Sequence, residues 1–519
     1  MARRGQDGGV RHWLLWVLVC AGCGPPANET ALAPAAPGQS PRPAKRRPDT
    51  GPVVAETKPP PSEPAPPSRG SYFGPSYPPP TPDGDGRSRI GSLTWGTWIQ
   101  PKPDSRSLPL GSIRPGSSIP LLKAQPVRGL GKCRSFVRVA RGYVCATRRA
   151  TLDMDSEFMR AHRWTQPAPG PFPYEYAFGV GAPMLTRVPP AGDNHWKIGK
   201  RDHKRLRGWA AGHDELVEES LIEPNGPMPD FLRGGGSAPS PWGRRPGIYA
   251  KRVPFGSMIA YTRVFEAEGE VWVLSTNLTI VPARGLKRFR RSTFRGVELT
   301  GNVQLPVAWI RKKPRPKYRR TESGLEPAGD SWPVRGWVAL TGSEEKQGRT
   351  RYLETREEGV YIAAQDATLV EAVTKRPWEV KGDDKWIHVR VNRGTLTLYE
   401  GLRPIFTTLM SPGKDGATPY GRYRIESKHH VTTMTTEPGE PRKFWIADVP
   451  WTLYFKRPYA IHGAYWHEDF GERKSGGCVN LSLLDAKRVF DWADPPLPHG
   501  WGSVQGYGMG GGTFVLVGG

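Results

Sequence analysis

Cysteine is scarce in this chain, with five in 519 residues, and histidine is little commoner at 11. No Cys or His set stands at zinc-finger spacing, and no RNP-like motif or basic helix occurs, so the usual modules that read nucleic acid are excluded. Long hydrophobic runs are also missing. The apolar stretch at 13–19 is too short to cross a bilayer as a helix. No long amphipathic helical pattern appears, which argues against a helical class. Carboxylates are in deficit: 49 Asp and Glu against 74 Lys and Arg leave a formal charge of +25. Scattered, solvated surface charge accounts for part of that excess, and attraction to an acidic wall or anionic lipid is the other reading.

What is abundant is proline (56), glycine (62) and tryptophan (19). Two to four domains of turn-rich, mostly β structure are expected from that length and composition. Residues 24–90 are dominated by Pro, Ala, Gly and Ser, including Pro59-Pro60-Pro61 and Pro78-Pro79-Pro80. Such a segment buries too little to order itself and reads as a disordered tether with polyproline II character. Fully extended at about 3.1 Å per residue, it would reach on the order of 200 Å.

The first residues read as an export signal. Arg3, Arg4 and Arg11 flank the start of the apolar stretch, and Cys20-Ala21-Gly22-Cys23 closes it. Ala21-Gly22-Cys23 resembles a lipobox. That resemblance implies cleavage before Cys23, lipidation of Cys23 and attachment to a membrane in the cell envelope, facing the periplasm or wall. Cys20 would leave with the signal at 1–23. Cys133 and Cys145 flank a hairpin built from 136–139 and 142–144, so a disulfide across it is a candidate in an oxidising compartment. Cys478 is then left as an unpaired thiol outside the cytoplasm, which calls for a chemical reason.

Strand-and-turn grammar runs through 91–380. The 91–165 stretch resembles the bacterial Src-homology-type small β-barrels, which end in a Gly-aromatic-Val strand. Gly142-Tyr143-Val144 is echoed by Gly336-Trp337-Val338 and Gly359-Val360-Tyr361. Residues 166–380 are expected to hold further β modules, with a loop insertion near 190–245 carrying at most a short helix. A role in wall binding or spacing is the expectation for these modules.

From 384 to 519 the hairpin signals are clearest. Strands are expected at 386–391, 395–399, 404–410, 421–425, 444–447, 451–455 and 513–517. Ser482 and Asp485 form a capping-box-like pair that opens a helix whose apolar face is Leu484, Ala486, Val489 and Phe490.

The chemistry concentrates in His462-Gly463 and, 16 positions after His462, in Ser475-Gly476-Gly477-Cys478-Val479-Asn480-Leu481. A thiol becomes a strong nucleophile when an imidazole takes its proton. Glycines before it leave room for a carbonyl and for backbone N–H groups to meet an oxyanion. The plain alternative is an ordinary turn histidine and a buried, inert cysteine.

Tyr459-Ala460-Ile461-His462-Gly463, Tyr465-Trp466-His467-Glu468-Asp469-Phe470-Gly471 and the Cys478 run together resemble the active-site segment of L,D-transpeptidases of the YkuD type. Upstream, Lys385-Trp386-Ile387-His388-Val389, Met410-Ser411-Pro412-Gly413 and Thr418-Pro419-Tyr420-Gly421 resemble strands and a turn of the same domain. The resemblance implies a β-sandwich with one or two short helices over 384–519. It makes Cys478 the nucleophile, His462 the general base, and Gly463 the carbonyl that holds the imidazole. Backbone N–H groups of Gly477 and Cys478 would be oxyanion donors. Tyr454, Trp466, Thr418 and Asn480 are expected at the substrate. Peptidoglycan stem peptides are the implied partner, with no cofactor, no metal and no nucleic acid.

Gly476 stands where the family has a second histidine. That departure keeps a catalytically degenerate wall-binding lipoprotein open, beside a 3→3 transpeptidase and an L,D-carboxypeptidase acting on the same stem. His467 is a structural histidine or a partial substitute. A zinc site of His462, His467 and Cys478 fits no common spacing. A papain-like peptidase expects Cys before His, with the Cys opening a long helix, and the order here is reversed.

Overall fold

The computed structural model describes residues 88–179, 181–193, 196–199, 204, 216, 217, 221–241, 243, 244, 247–254, 256–435, 445–509 and 511–519. Cys20, Cys23 and the 24–87 part of the expected tether lie outside the described residues. The architecture is mostly β. No helix among the described residues is long and apolar enough to cross a membrane.

The C-terminal domain is a two-sheet sandwich. One sheet runs in the order Val297–Glu298, Arg403–Leu409, Thr395–Glu400, Lys385–Arg390, Phe514–Gly518, Gly421–Arg424. The last strand lies parallel to the first of the domain, with Trp386 opposite Phe514 and Val389 opposite Val517. The second sheet contains Ser427–Thr435, Trp445–Lys456, Tyr459–Gly463 and Val479–Leu481. Their inward residues, among them Leu453, Ile461, Val479 and Leu481, meet Ile387, Leu398 and Val515 of the facing sheet in one apolar core.

The helix Leu483–Trp492 covers an edge of that core through Ala486, Val489 and Phe490. Ser482 caps it, its hydroxyl accepting from Asp485 N. The reciprocal bond from the Ser482 backbone N–H is absent, because the Asp485 carboxylate is engaged elsewhere. It accepts from Thr408 Oγ1 at 2.6 Å and from Gly296 N at 2.8 Å, tying helix, sheet and the incoming chain together. Burial pushes this carboxyl up from 3.8 to about 6, outweighing the hydrogen bonds from Thr408 and Gly296 that favour its charge.

A pKa raised on folding stabilises below the unfolded value, and that contribution is lost as pH rises through about 6. The shift corresponds to about 3 kcal/mol. Asp485→Asn removes the titration. The variant's stability relative to wild type should therefore improve by that order between pH 4 and 7, read by denaturant unfolding at both pH values. A difference independent of pH would contradict the assignment.

Three small β modules surround this domain. The first runs from Arg89–Ser92 to Ala150–Thr151, its core closed by Trp501 and Val504 from near the C-terminus. Cys133 and Cys145 are joined by a disulfide across its hairpin. The strand Gly111–Ile113 pairs with Ser503–Gln505, which pairs in turn with Ser427–Thr435. The second module includes Glu175–Gly179, Ser257–Ala267 and Glu270–Ser275, and Met258 pairs in parallel with Ile446 of the sandwich. The third spans Val307–Trp309 to Thr368–Val370 in a seven-stranded sheet.

The sequence echo is partly positional. Gly142–Cys145 and Val360–Ala363 each lead through a short turn into a closing strand. The second module ends in the same way, at Ile280–Pro282 and Leu286–Arg288. Gly336, by contrast, precedes a long hairpin arm, Trp337–Gln347. In the 190–245 stretch the described helical turn is Asp230–Gly235.

Candidate active site

Two adjacent strands position the candidate pair. Tyr459–Gly463 runs parallel to Val479–Leu481, with Ile461 opposite Val479 and His462 opposite Asn480. Side chains alternate faces along a strand. Ile461, Val479 and Leu481 therefore enter the sandwich core, while His462, Asn480 and Cys478 take the other face. Extending the register by a residue sets Cys478 beside Ala460, two positions from His462. The two are diagonal neighbours across adjacent strands. Cys478 is not in a disulfide and is 3% exposed, and His462 is fully buried.

The imidazole's protonation follows from its contacts. Nδ1 lies 3.1 Å from Gly463 O. A carbonyl only accepts, so Nδ1 carries the proton, and in the neutral ring Nε2 keeps its lone pair. Nε2 is buried and has no hydrogen-bond partner among the described residues, Cys478 included. A buried acceptor left without a donor is costly, and proton acceptors at catalytic sites are often completed only with substrate present. The Trp466 ring lies 5.8 Å from the imidazole and walls this side.

The glycine loop before Cys478 is held by hydroxyls. Ser475 Oγ donates to Cys478 O at 2.5 Å and accepts from Gly477 N at 3.1 Å. The Gly477 N–H, expected as an oxyanion donor, thus meets the Ser475 hydroxyl in this structure. Thr418 accepts from Gly413 N at 2.7 Å and donates to Gly477 O at 3.0 Å. It is buried, so it ties the loop down and presents little surface to a substrate. Gly477 has φ of 135°, and a Cβ there would sit 2.4 Å from the Tyr459 ring.

Asn480 is buried with its amide 2.9 Å from His467 Nε2. His467 Nδ1 accepts from Asp469 N at 3.2 Å, so in the neutral ring the proton sits on Nε2. Turning the Asn480 amide would let Oδ1, otherwise orphaned, accept that proton. His467 is therefore a structural histidine that braces the loop, and Asn480 supports it. Tyr454 pairs with Ala460 and joins the apolar cluster around Cys478. Among the described residues no group of three His, Cys, Asp or Glu side chains could hold a metal, so His462, His467 and Cys478 do not converge as ligands.

Residues from the modules complete the surroundings, and sequence reasoning missed them. Tyr176 of the second module stacks on Tyr465 with ring centroids 3.7 Å apart, and its hydroxyl donates to Asp448 O. Glu468, 4% exposed, accepts from Arg290 and Arg335 at 3.0 Å each. Phe294 stacks on Phe470. These pairs join residues far apart in the chain, and no local pattern announces them. The Ser475 role was legible, since a serine two residues before an N–H is a common local hydrogen-bonding arrangement.

Residues 384–515 match the YkuD model, the L,D-transpeptidase catalytic domain. The matched stretch contains the His462 strand, the Cys478 loop and the helix, and supports an enzyme of the L,D-transpeptidase type. Among solved structures, the chain is similar to the catalytic domain of the E. faecium L,D-transpeptidase. Identity is 20%, 26% of this chain and 97% of that chain are covered, and the TM-score is 0.21. An L,D-transpeptidase from Mycobacterium smegmatis is also 20% identical, with 38% and 76% covered and a TM-score of 0.21. One from Stackebrandtia nassauensis is 23% identical, with 28% and 60% covered and a TM-score of 0.19. No curated protein matches the chain.

Proposed function

We propose that this protein is a peptidoglycan L,D-transpeptidase that forms 3→3 cross-links through a thioester on Cys478, with release of D-Ala. The observation that carries this reading is the buried, unpartnered Nε2 of His462 on the same face as the Cys478 sulfur, which is not in a disulfide, inside the matched domain. His462 Nε2 takes the thiol proton, and the thiolate attacks the carbonyl of the third residue of a tetrapeptide stem. The backbone N–H of Cys478 serves the oxyanion. Collapse breaks the bond to D-Ala, whose amine takes the proton back from His462. An amine on a neighbouring stem's third residue then attacks the thioester, gives its proton to His462, and expels the thiolate.

Gly463 O keeps the imidazole in the required tautomer, the task of a carboxylate in other triads. With Gly476 in place of a second histidine, His462 carries the proton work alone. Cys478 is a buried member of the apolar cluster that includes Tyr174, Tyr176 and Met258, so substrate entry requires some of the surrounding side chains to move. Export by residues 1–23 and a lipid on Cys23 would hold the enzyme beside its substrate.

Incubation with purified disaccharide tetrapeptide, followed by mass spectrometry, tests the reading. A cross-linked dimer lacking one D-Ala is expected. A tripeptide product alone would mean an L,D-carboxypeptidase, and an unchanged substrate would mean a degenerate domain.

A further inference from the structure

We propose that the cavity between the first two modules and the sandwich binds the sugar strand of an anionic, carboxylate-bearing glycan. The claim deepens the transpeptidase reading, on which it rests for the identity of the glycan. The cavity measures about 2010 Å³, whereas sites for drug-sized ligands span about 300–1,000 Å³. Its size suits an oligomer.

The position connects it to the reaction. Tyr454 lines the cavity and pairs with Ala460, and Ala460 stands beside Cys478 by register, so the wall lies two strands from the thiol. Ala447 and Val431 of the same wall share the apolar cluster around Cys478. A strand lying here would have its peptide branches beside the site.

The lining has the chemistry of a saccharide site. At one end Trp95 and Trp98 expose 58% and 41% of their surfaces, large flat faces that solvent alone does not stabilise. Arg149 is exposed beside them, its guanidinium 3.4 Å from Gly96 O. Sugar rings stack on indole faces, and carboxylates pair with guanidinium. The charge balance agrees. The wall carboxylates Glu426, Asp448 and Asp491 are each paired with a wall cation, namely Arg457, Arg114 and Lys487. Arg163 of the wall pairs with Asp155 outside it, and arginines and lysines of the wall still outnumber its carboxylates, a balance that favours an anion.

Calorimetric titration of the full exported chain, with Cys478→Ala introduced to prevent turnover, tests this. The probes are glycan oligomers bearing tetrapeptides, the sugar-free tetrapeptide, and neutral N-acetylglucosamine oligomers. The double variant Trp95→Ala/Trp98→Ala should weaken both sugar probes by about tenfold or more and leave the sugar-free peptide within about twofold. Arg149→Gln should weaken the carboxylate-bearing glycan alone, and less so at high salt. All three positions are exposed, and an unchanged melting temperature excludes misfolding. Absence of glycan binding, or equal binding by the tryptophan variant, would overturn the proposal. Turnover of the disaccharide tetrapeptide by the unmodified chain would still stand in that case, which separates this failure from failure of the transpeptidase reading.

Discussion

Cys478→Ala should lower release of D-Ala from disaccharide tetrapeptide by a factor on the order of 10³ or more, because the thioester cannot form. The fold should survive. Removing one buried sulfur leaves a small void, which costs about 1 kcal/mol in a packed site. His462→Ala should lose activity to a similar degree, and the double variant should lose no more than either single one, since the two residues act on one proton. The measurement is product formation by mass spectrometry alongside thermal unfolding. A Cys478→Ala protein that still releases D-Ala at the wild-type rate would remove the nucleophile assignment. Additive losses in the double variant would instead separate His462 from the thiol.

Gly477→Ala should be nearly as damaging to activity, for a backbone reason. The residue has φ of 135°, a region that side chains rarely adopt, and its added methyl would meet the Tyr459 ring at 2.4 Å and Ala417 O at 2.9 Å. The ring belongs to the strand that carries His462, and the oxygen to backbone. Neither can yield cheaply. The loop must shift instead, and it carries Ser475, Cys478 and the Thr418 tether with it. A displacement of about 1 Å at a reacting group costs on the order of 10²-fold in rate, so a loss of that size or larger is expected, with a stability loss of about 1–3 kcal/mol. Retained activity would mean that the loop adopts another conformation during catalysis.

The local rules carried most of the C-terminal domain. Hairpin signals located 395–399 and 404–410, which pair antiparallel with Thr397 opposite Thr407. The Ser482 cap lies at the helix start as its side chain requires. Two expected strands, 444–447 and 451–455, belong to one strand, Trp445–Lys456. Positive φ at Asp448, between them, and at Trp451, where the second begins, makes the backbone irregular there, and no propensity rule distinguishes that from a break. The capping box failed in its second half because Asp485 had a stronger offer from Thr408 and Gly296, the latter almost two hundred positions away in the chain. The Gly477 N–H likewise meets a hydroxyl two residues back.

The amino-acid order determined by itself what depends on near neighbours: the period-two alternation that turns His462 away from Ile461 and Asn480 away from Val479, the Gly463 carbonyl next to the imidazole, and the glycines that let the loop turn. Such features follow from bond geometry and local hydrogen bonding, and they survive any packing. Only the tertiary structure decided that the face would be roofed by Tyr176 and its module, that Arg290 and Arg335 would converge on Glu468, and that a charged cavity would open two strands from the thiol. Those outcomes depend on burying apolar surface between segments hundreds of residues apart, and the driving force for that is non-directional.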